Sequence, residues 1–154
     1  MTLWKMAVVA GLAATGVVAF TAWRTSYAVT GPSSIRITQK QISRTIVNHG
    51  KRSRSVGDVE ITRALLYNKR ITPKAIGHGE VVCTYTDASS RSCTGTFVLP
   101  KGKIVVGGSV LYTQLFQLAV LGGTDLYNNV RGTLTVTSLS KKPRQDVLLF
   151  RLVA

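Results

Sequence analysis

Acidic side chains are scarce in this chain. Six of them, Asp58, Glu60, Glu80, Asp87, Asp125 and Asp146, stand against twenty lysines and arginines in 154 residues, for a formal charge of +14. A surplus of that size favours polyanionic neighbours such as cell-wall polymers, lipid headgroups or nucleic acid. Histidine and cysteine are equally sparse. His49, His78, Cys83 and Cys93 have no metal-ligand spacing, and no cofactor is implied. Ser109 and Thr124 have no histidine in a recognisable arrangement, so a hydrolase triad is unsupported. Gly77-His78-Gly79 opens no clear helix and is not a phosphate loop. Proline is modest at four residues, no low-complexity tract or repeat stands out, and 45% of the chain is hydrophobic, so one packed domain is expected.

Met6 to Trp23 runs without a charged residue. Lys5 precedes it, Arg24 ends it, and Ser26-Tyr27-Ala28 places small residues on either side of a tyrosine, two positions apart, after it. This is the layout of a secretory signal over residues 1–28, with cleavage after Ala28. The alternative is an uncleaved membrane anchor over residues 6–23, since the run approaches a spanning length. Either way a secreted or extracytoplasmic location is expected. Residues 29–33 read as a linker, and 34–154 as the folded domain.

Helical periodicity is poor after residue 34, and two-residue alternation recurs. Val81, Cys83 and Tyr85 share a face; Thr133, Thr135 and Thr137 alternate with Leu134 and Val136; Val147, Leu149 and Arg151 alternate with Leu148, Phe150 and Leu152. Pro100-Lys101-Gly102 and Gly122-Gly123-Thr124-Asp125 are turn signals, and Gly107-Gly108 marks a bulge or bend. The pattern predicts eight strands, at 34–46, 54–66, 76–86, 91–99, 103–112, 115–121, 130–139 and 145–153. Residues 39–47 also fit a short helix. Short connections imply antiparallel hairpins, hence an all-β sandwich or closed barrel.

Cys83 and Cys93 flank the turn Asp87-Ala88-Ser89-Ser90. Two strands folding back there bring both sulfurs together, and an oxidising compartment favours the disulfide. Closing so short a loop contributes on the order of 2–3 kcal/mol by the loop-entropy estimate.

Three stretches resemble the allene oxide cyclase and dirigent protein superfamily, particularly its small secreted bacterial members. They are Val56-Gly57-Asp58, the run from Gly77 to Leu99 that contains both cysteines, and Gly122 to Gly132. In the third, Gly122, Gly123, Thr124, Arg131 and Gly132 match the dirigent pattern and Tyr127 replaces a phenylalanine. Asp125, Asn128 and Val130 depart from it. The resemblance implies an eight-stranded antiparallel barrel, often trimeric, whose cavity binds a small hydrophobic or phenolic molecule and directs its isomerisation or cyclisation. The missing arginine at Asn128 weakens any transfer of plant dirigent chemistry.

Within such a barrel, alternation puts Asp58, Glu60 and Thr62 on one face. Facing inward, Asp58 and Glu60 are candidate proton-transfer groups whose pKa burial raises; facing outward, they balance Arg52, Arg54 or Arg63. Arg131 is a candidate ligand contact or a lock on the Gly122–Asp125 turn. Tyr85 and Tyr127 are candidates for lining the cavity, or are simply core.

Arg36, Lys40, Arg44, Lys51, Arg52 and Arg54 form one basic cluster, and Lys141, Lys142 and Arg144 another. They read as a solvated face or as attachment to an anionic envelope surface. The export signal and the shortage of aromatics in these clusters argue against nucleic acid.

Overall fold

A computed structural model describes residues 33–50, 54–68, 70–111 and 115–153. The signal or anchor segment, most of the linker, and Lys51 and Arg52 of the first basic cluster lie outside them. Eight strands follow in order: β1 Ser34–Val47, β2 Val59–Tyr67, β3 Gly77–Tyr85, β4 Ser90–Leu99, β5 Gly102–Leu111, β6 Leu115–Gly123, β7 Arg131–Lys141 and β8 Arg144–Val153. A single 3-10 turn, Asp125–Tyr127, interrupts the β6–β7 connection. Each strand pairs antiparallel with the next, and β1 closes on β8 from Ser34↔Arg151 to Lys40↔Gln145. The all-β expectation thus resolves as a closed eight-stranded barrel.

Alternation decides what enters the barrel. Ile37, Leu66, Phe97, Ile104, Leu134, Leu148 and Phe150 are all buried, and Phe97 meets Phe150 edge-on at 5.3 Å between centroids. Such an aromatic pair adds about 0.5–1.5 kcal/mol beyond its buried area. Phe97 lies flat against the wall because its neighbour on β3 is Gly79; a Cβ there would come within 2.8 Å of the ring.

The two ends of the barrel differ. The connections β2–β3, β4–β5 and β6–β7 close one end, where Leu99, Tyr127, Val130 and Leu152 are buried. The connections β1–β2, β3–β4, β5–β6 and β7–β8 surround the other end, the mouth. At the closed end the Pro100-Lys101 turn works as the sequence predicts, with Gly102 at φ +130° where a side chain is disfavoured.

Three local expectations are corrected. Residues 39–47 are strand, because β2 and β8 together supply hydrogen-bonding partners along their length. β2 begins at Val59 rather than 54, because residues before it are drawn into a loop around Asp58. The register break near Gly107 falls on the partner strand, where Leu121 is the extra residue between Val120 and Gly122.

Candidate functional site

Toward the mouth the interior turns polar. A cavity there has an apolar floor and wall of Phe97, Leu134, Leu148, Leu118, Val136 and Phe116. Its polar lining is Gln39, Gln41, Glu60, Thr62, Arg91, Arg144 and Asp146. The empty space between these side chains, open mouth included, is about 550 Å³.

Glu60 organises one side. It stands in a row with Cys83 and Cys93, its successive neighbours across β3 and β4. Arg44 Nη2 and the Tyr85 hydroxyl both donate to its Oε2, at 2.8 and 2.6 Å, and Arg91 Nη1 lies 3.3 Å from Oε1. Arg44 reaches it because β1 carries a bulge between Gln41 and Ser43. Before the bulge Ile37, Gln39 and Gln41 face inward; after it Arg44 and Ile46 do, opposite Thr62 and Glu60. One extra residue thereby re-aims a cation into the barrel.

Burial alone pushes the Glu60 carboxyl up. The hydrogen bonds from Arg44 and Tyr85 and the charges of Arg44 and Arg91 outweigh it, bringing the pKa down to about 2. The inward orientation is the one the sequence left open, but the direction of the shift is opposite to that expected from burial. Glu60 is therefore a fixed anion at neutral pH rather than a proton donor. Burial and the Glu60 hydrogen bond also raise the Tyr85 hydroxyl's pKa, so it stays protonated and donating.

Arg91 crosses the cavity. Its Nη1 faces Glu60 while its guanidinium carbon lies 5.8 Å from the centroid of Phe116 on β6. A cation over a ring face at that distance is attractive. On β8, Asp146 is 2% exposed and accepts through Oδ2 from Gln39 Nε2 at 2.7 Å and Arg144 Nε at 3.3 Å. Its Oδ1 is buried and has no hydrogen-bond partner among the described residues.

The disulfide forms as the hairpin predicts. Cys83 and Cys93 are directly opposed, with Cα atoms 4.0 Å apart, and both residues line the cavity.

The remaining candidates do not converge on this site. Asp58 is fully buried beneath the β1–β2 loop, where its carboxyl accepts from the backbone N–H of His49 and of Ser55 and from the Ser55 hydroxyl. Led by the two backbone donors, these bonds lower its pKa against the opposing effect of burial. It shapes the loop and does not line the cavity. Tyr85 stands beside the lining and acts on it through Glu60. Tyr127 plugs the closed end, where burial raises its hydroxyl's pKa. Arg131 is at that end too, donating to the Val130 carbonyl at 3.0 Å and lying against Gly122. Gln39, Arg44, Arg91 and Asp146 make the polar half of the site without having been singled out for it.

No family model and no curated protein matches the sequence. Solved structures do match. A pyocyanin demethylase superposes with a TM-score of 0.69 at 24% identity, over 78% of this chain and 99% of that one. The pterocarpan synthase dirigent protein GePTS1 gives 0.61 at 13% identity, over 77% and 81%. The Diels Alderase AbmU from Streptomyces koyangensis gives 0.59 at 12% identity, over 78% and 68%. The chain has the barrel fold common to dirigent proteins and these barrel enzymes, as the three sequence stretches led one to expect. At these identities the likeness establishes the fold, and function must be argued from the cavity.

Proposed function

We propose that this chain is an exported barrel that binds a compact hydrophobic or phenolic molecule and directs its isomerisation or cyclisation. The observation that carries the reading is Asp146 Oδ1, a buried acceptor on an apolar-walled cavity with no partner among the described residues. Burying such an acceptor unsatisfied is costly, by about 1–3 kcal/mol. A ligand hydroxyl placed there recovers that loss, while its hydrocarbon body packs on Phe116, Leu118, Leu134 and Leu148. Arg91 and Arg144 supply positive charge where an enolate or phenolate would develop. Holding one conformer against these groups is the means by which a cavity of this kind steers ring closure. The named activities of the structural neighbours, a demethylase, a pterocarpan synthase and a Diels Alderase, are consistent with a fold used on small organic molecules.

Isothermal titration with 4-propylphenol and its methyl ether tests the reading. The ether replaces the phenol's donor hydrogen with a methyl group. The phenol is expected to bind about tenfold more tightly, the effect of one buried hydrogen bond, and Asp146→Asn should narrow the gap. Equal affinities for the two compounds, or binding unaffected at Asp146, would overturn it.

A further inference from the structure

The six acidic side chains are all placed, and they leave the cavity one negative charge short. Glu80 pairs with Arg63 on the outer wall. Asp87 is held in the β3–β4 turn by Ser89 and Ser90. Asp58 is turned into the β1–β2 loop by His49 and Ser55, and Asp125 opens the 3-10 turn at the closed end. Of the six, Glu60 and Asp146 line the cavity. Three guanidinium groups meet these two carboxylates: Arg44 and Arg91 at Glu60, and Arg144 at Asp146.

The imbalance sits on the Glu60 side. Arginine stays protonated in proteins, and Glu60, with its pKa brought down to about 2, is an anion at neutral pH. Two cations therefore share one carboxylate. Arg44 and the Tyr85 hydroxyl both use Oε2, and Arg44 keeps 33% of its side-chain surface in water. The Arg91 side chain is 7% exposed and stands 3.3 Å from Oε1, so what balances its charge must come from inside the barrel. Gln41 and Thr62 line the same space with neutral donors. A cation held away from water beside such donors suits an anion. The low local dielectric strengthens the attraction, and a carboxylate accepts from several donors at once.

We propose that the molecule bound here is an acid: a compact hydroxylated aromatic that carries one carboxylate, with its hydroxyl at Asp146 and its carboxylate on the Arg91 side. This deepens the function proposed above and rests on it for the hydroxyl; the charge count stands without it. Asp146 and Arg91 belong to β8 and β4, which are opposite strands of the closed barrel. The two polar groups therefore suit opposite ends of one ligand, with Phe116, Leu118 and Leu134 against the hydrocarbon between them.

Titration calorimetry of the full chain with 4-propylphenol, 3-(4-hydroxyphenyl)propionate and the matching propionamide tests this. The acid and the amide share shape and hydroxyl and differ in charge. The acid is expected to bind at least about tenfold more tightly than the amide, the effect of one charge-assisted contact. Raised salt should leave most of that preference, because buried pairs are screened little. Lys141→Gln with Lys142→Gln, at the exposed rim, should leave it too. Arg44→Gln should remove most of it, since Glu60 then balances Arg91 alone, and binding of 4-propylphenol shows that the variant's cavity is intact. An acid that binds no more tightly than the amide, while 4-propylphenol binds, overturns the proposal and leaves the phenol reading standing. A preference for the acid with no binding of 4-propylphenol sustains the charge assignment and overturns the hydroxyl at Asp146. A preference that vanishes with salt or with the two lysines belongs to the surface field and overturns the proposal. Binding of none of the three overturns both readings.

Discussion

Glu60 and Arg91 meet across β3. They belong to β2 and β4, which are not neighbours, yet Arg91 Nη1 comes within 3.3 Å of Glu60 Oε1 with both side chains less than a tenth exposed. Arg44 and Tyr85 complete the cluster from β1 and β3. Four consecutive strands are thus tied by one carboxylate, which fixes the shape of the cavity wall.

Glu60→Gln should therefore be costly. It keeps the shape but leaves Arg91 buried without its counter-charge, which typically destabilises by about 3–5 kcal/mol. Glu80→Gln is the control, because its pair with Arg63 is exposed and worth about 0–1 kcal/mol. Urea denaturation of both variants checks this. Equal midpoints would show that the buried cluster contributes no more than a surface pair.

The same cluster sets an acid limit. The folded-state pKa of Glu60, about 2, lies below its ordinary 4.5. A depressed carboxyl contributes stability that is present above pH 4.5 and lost as pH falls toward 2. The contribution is roughly 3 kcal/mol. Asp58 and Asp87 act in the same direction, through hydrogen bonds from His49 and Ser55 and from Ser90 and Ser89. Denaturation midpoints taken across this window should fall steeply for the parent chain and less for Glu60→Gln. Parallel curves would remove Glu60 from the account.

Reducing the disulfide should loosen both fold and cavity. The sequence separation is 10 residues, so the loss is on the order of 2–3 kcal/mol. Because both cysteines line the cavity, affinity for 4-propylphenol should fall with it. Denaturation and titration with and without a phosphine reductant measure the two effects. Unchanged phenol affinity in the reduced, still-folded protein would mean the disulfide is a staple only.

Asp58→Ala and Tyr127→Phe should separate loop and plug from site. The first frees the backbone N–H groups of His49 and Ser55, so proteolysis in the β1–β2 loop should accelerate while phenol binding holds. The second removes a hydroxyl at the closed end and should leave phenol binding unchanged. A loss of phenol affinity in Tyr127→Phe would place the ligand deeper than the cavity described above.

β3, β4 and β8 were legible because alternation survives along them, and the disulfide because its two cysteines bracket a clear turn. Asp146 and Arg91 were within reach. Leu148, Phe150 and Leu152 define an inner face whose continuation by two residues is Asp146, and Cys93 and Phe97 place Arg91 inside by the same count. Arg44 was not legible, since the bulge at Ile42 reverses the parity of β1 without a glycine or proline to announce it. Tyr127 and Arg131 were drawn in by motif similarity, which says nothing about the end of the barrel at which a motif lies.

Closure of the barrel has a consequence for partner choice. With β1 paired to β8, every strand has a neighbour on both sides. A free edge is what lets an extended peptide join a sheet, and what templates aggregation of strands. Along the closed part of the wall this domain offers neither; one-sided stretches lie at strand ends, among them those at the mouth, where β1 continues past its last β8 partner at Lys40 and β5 past its last β6 partner at Gly107. Proteins that recognise the closed wall must do so through side chains, and its protection from strand-to-strand aggregation there derives from geometry rather than from charge.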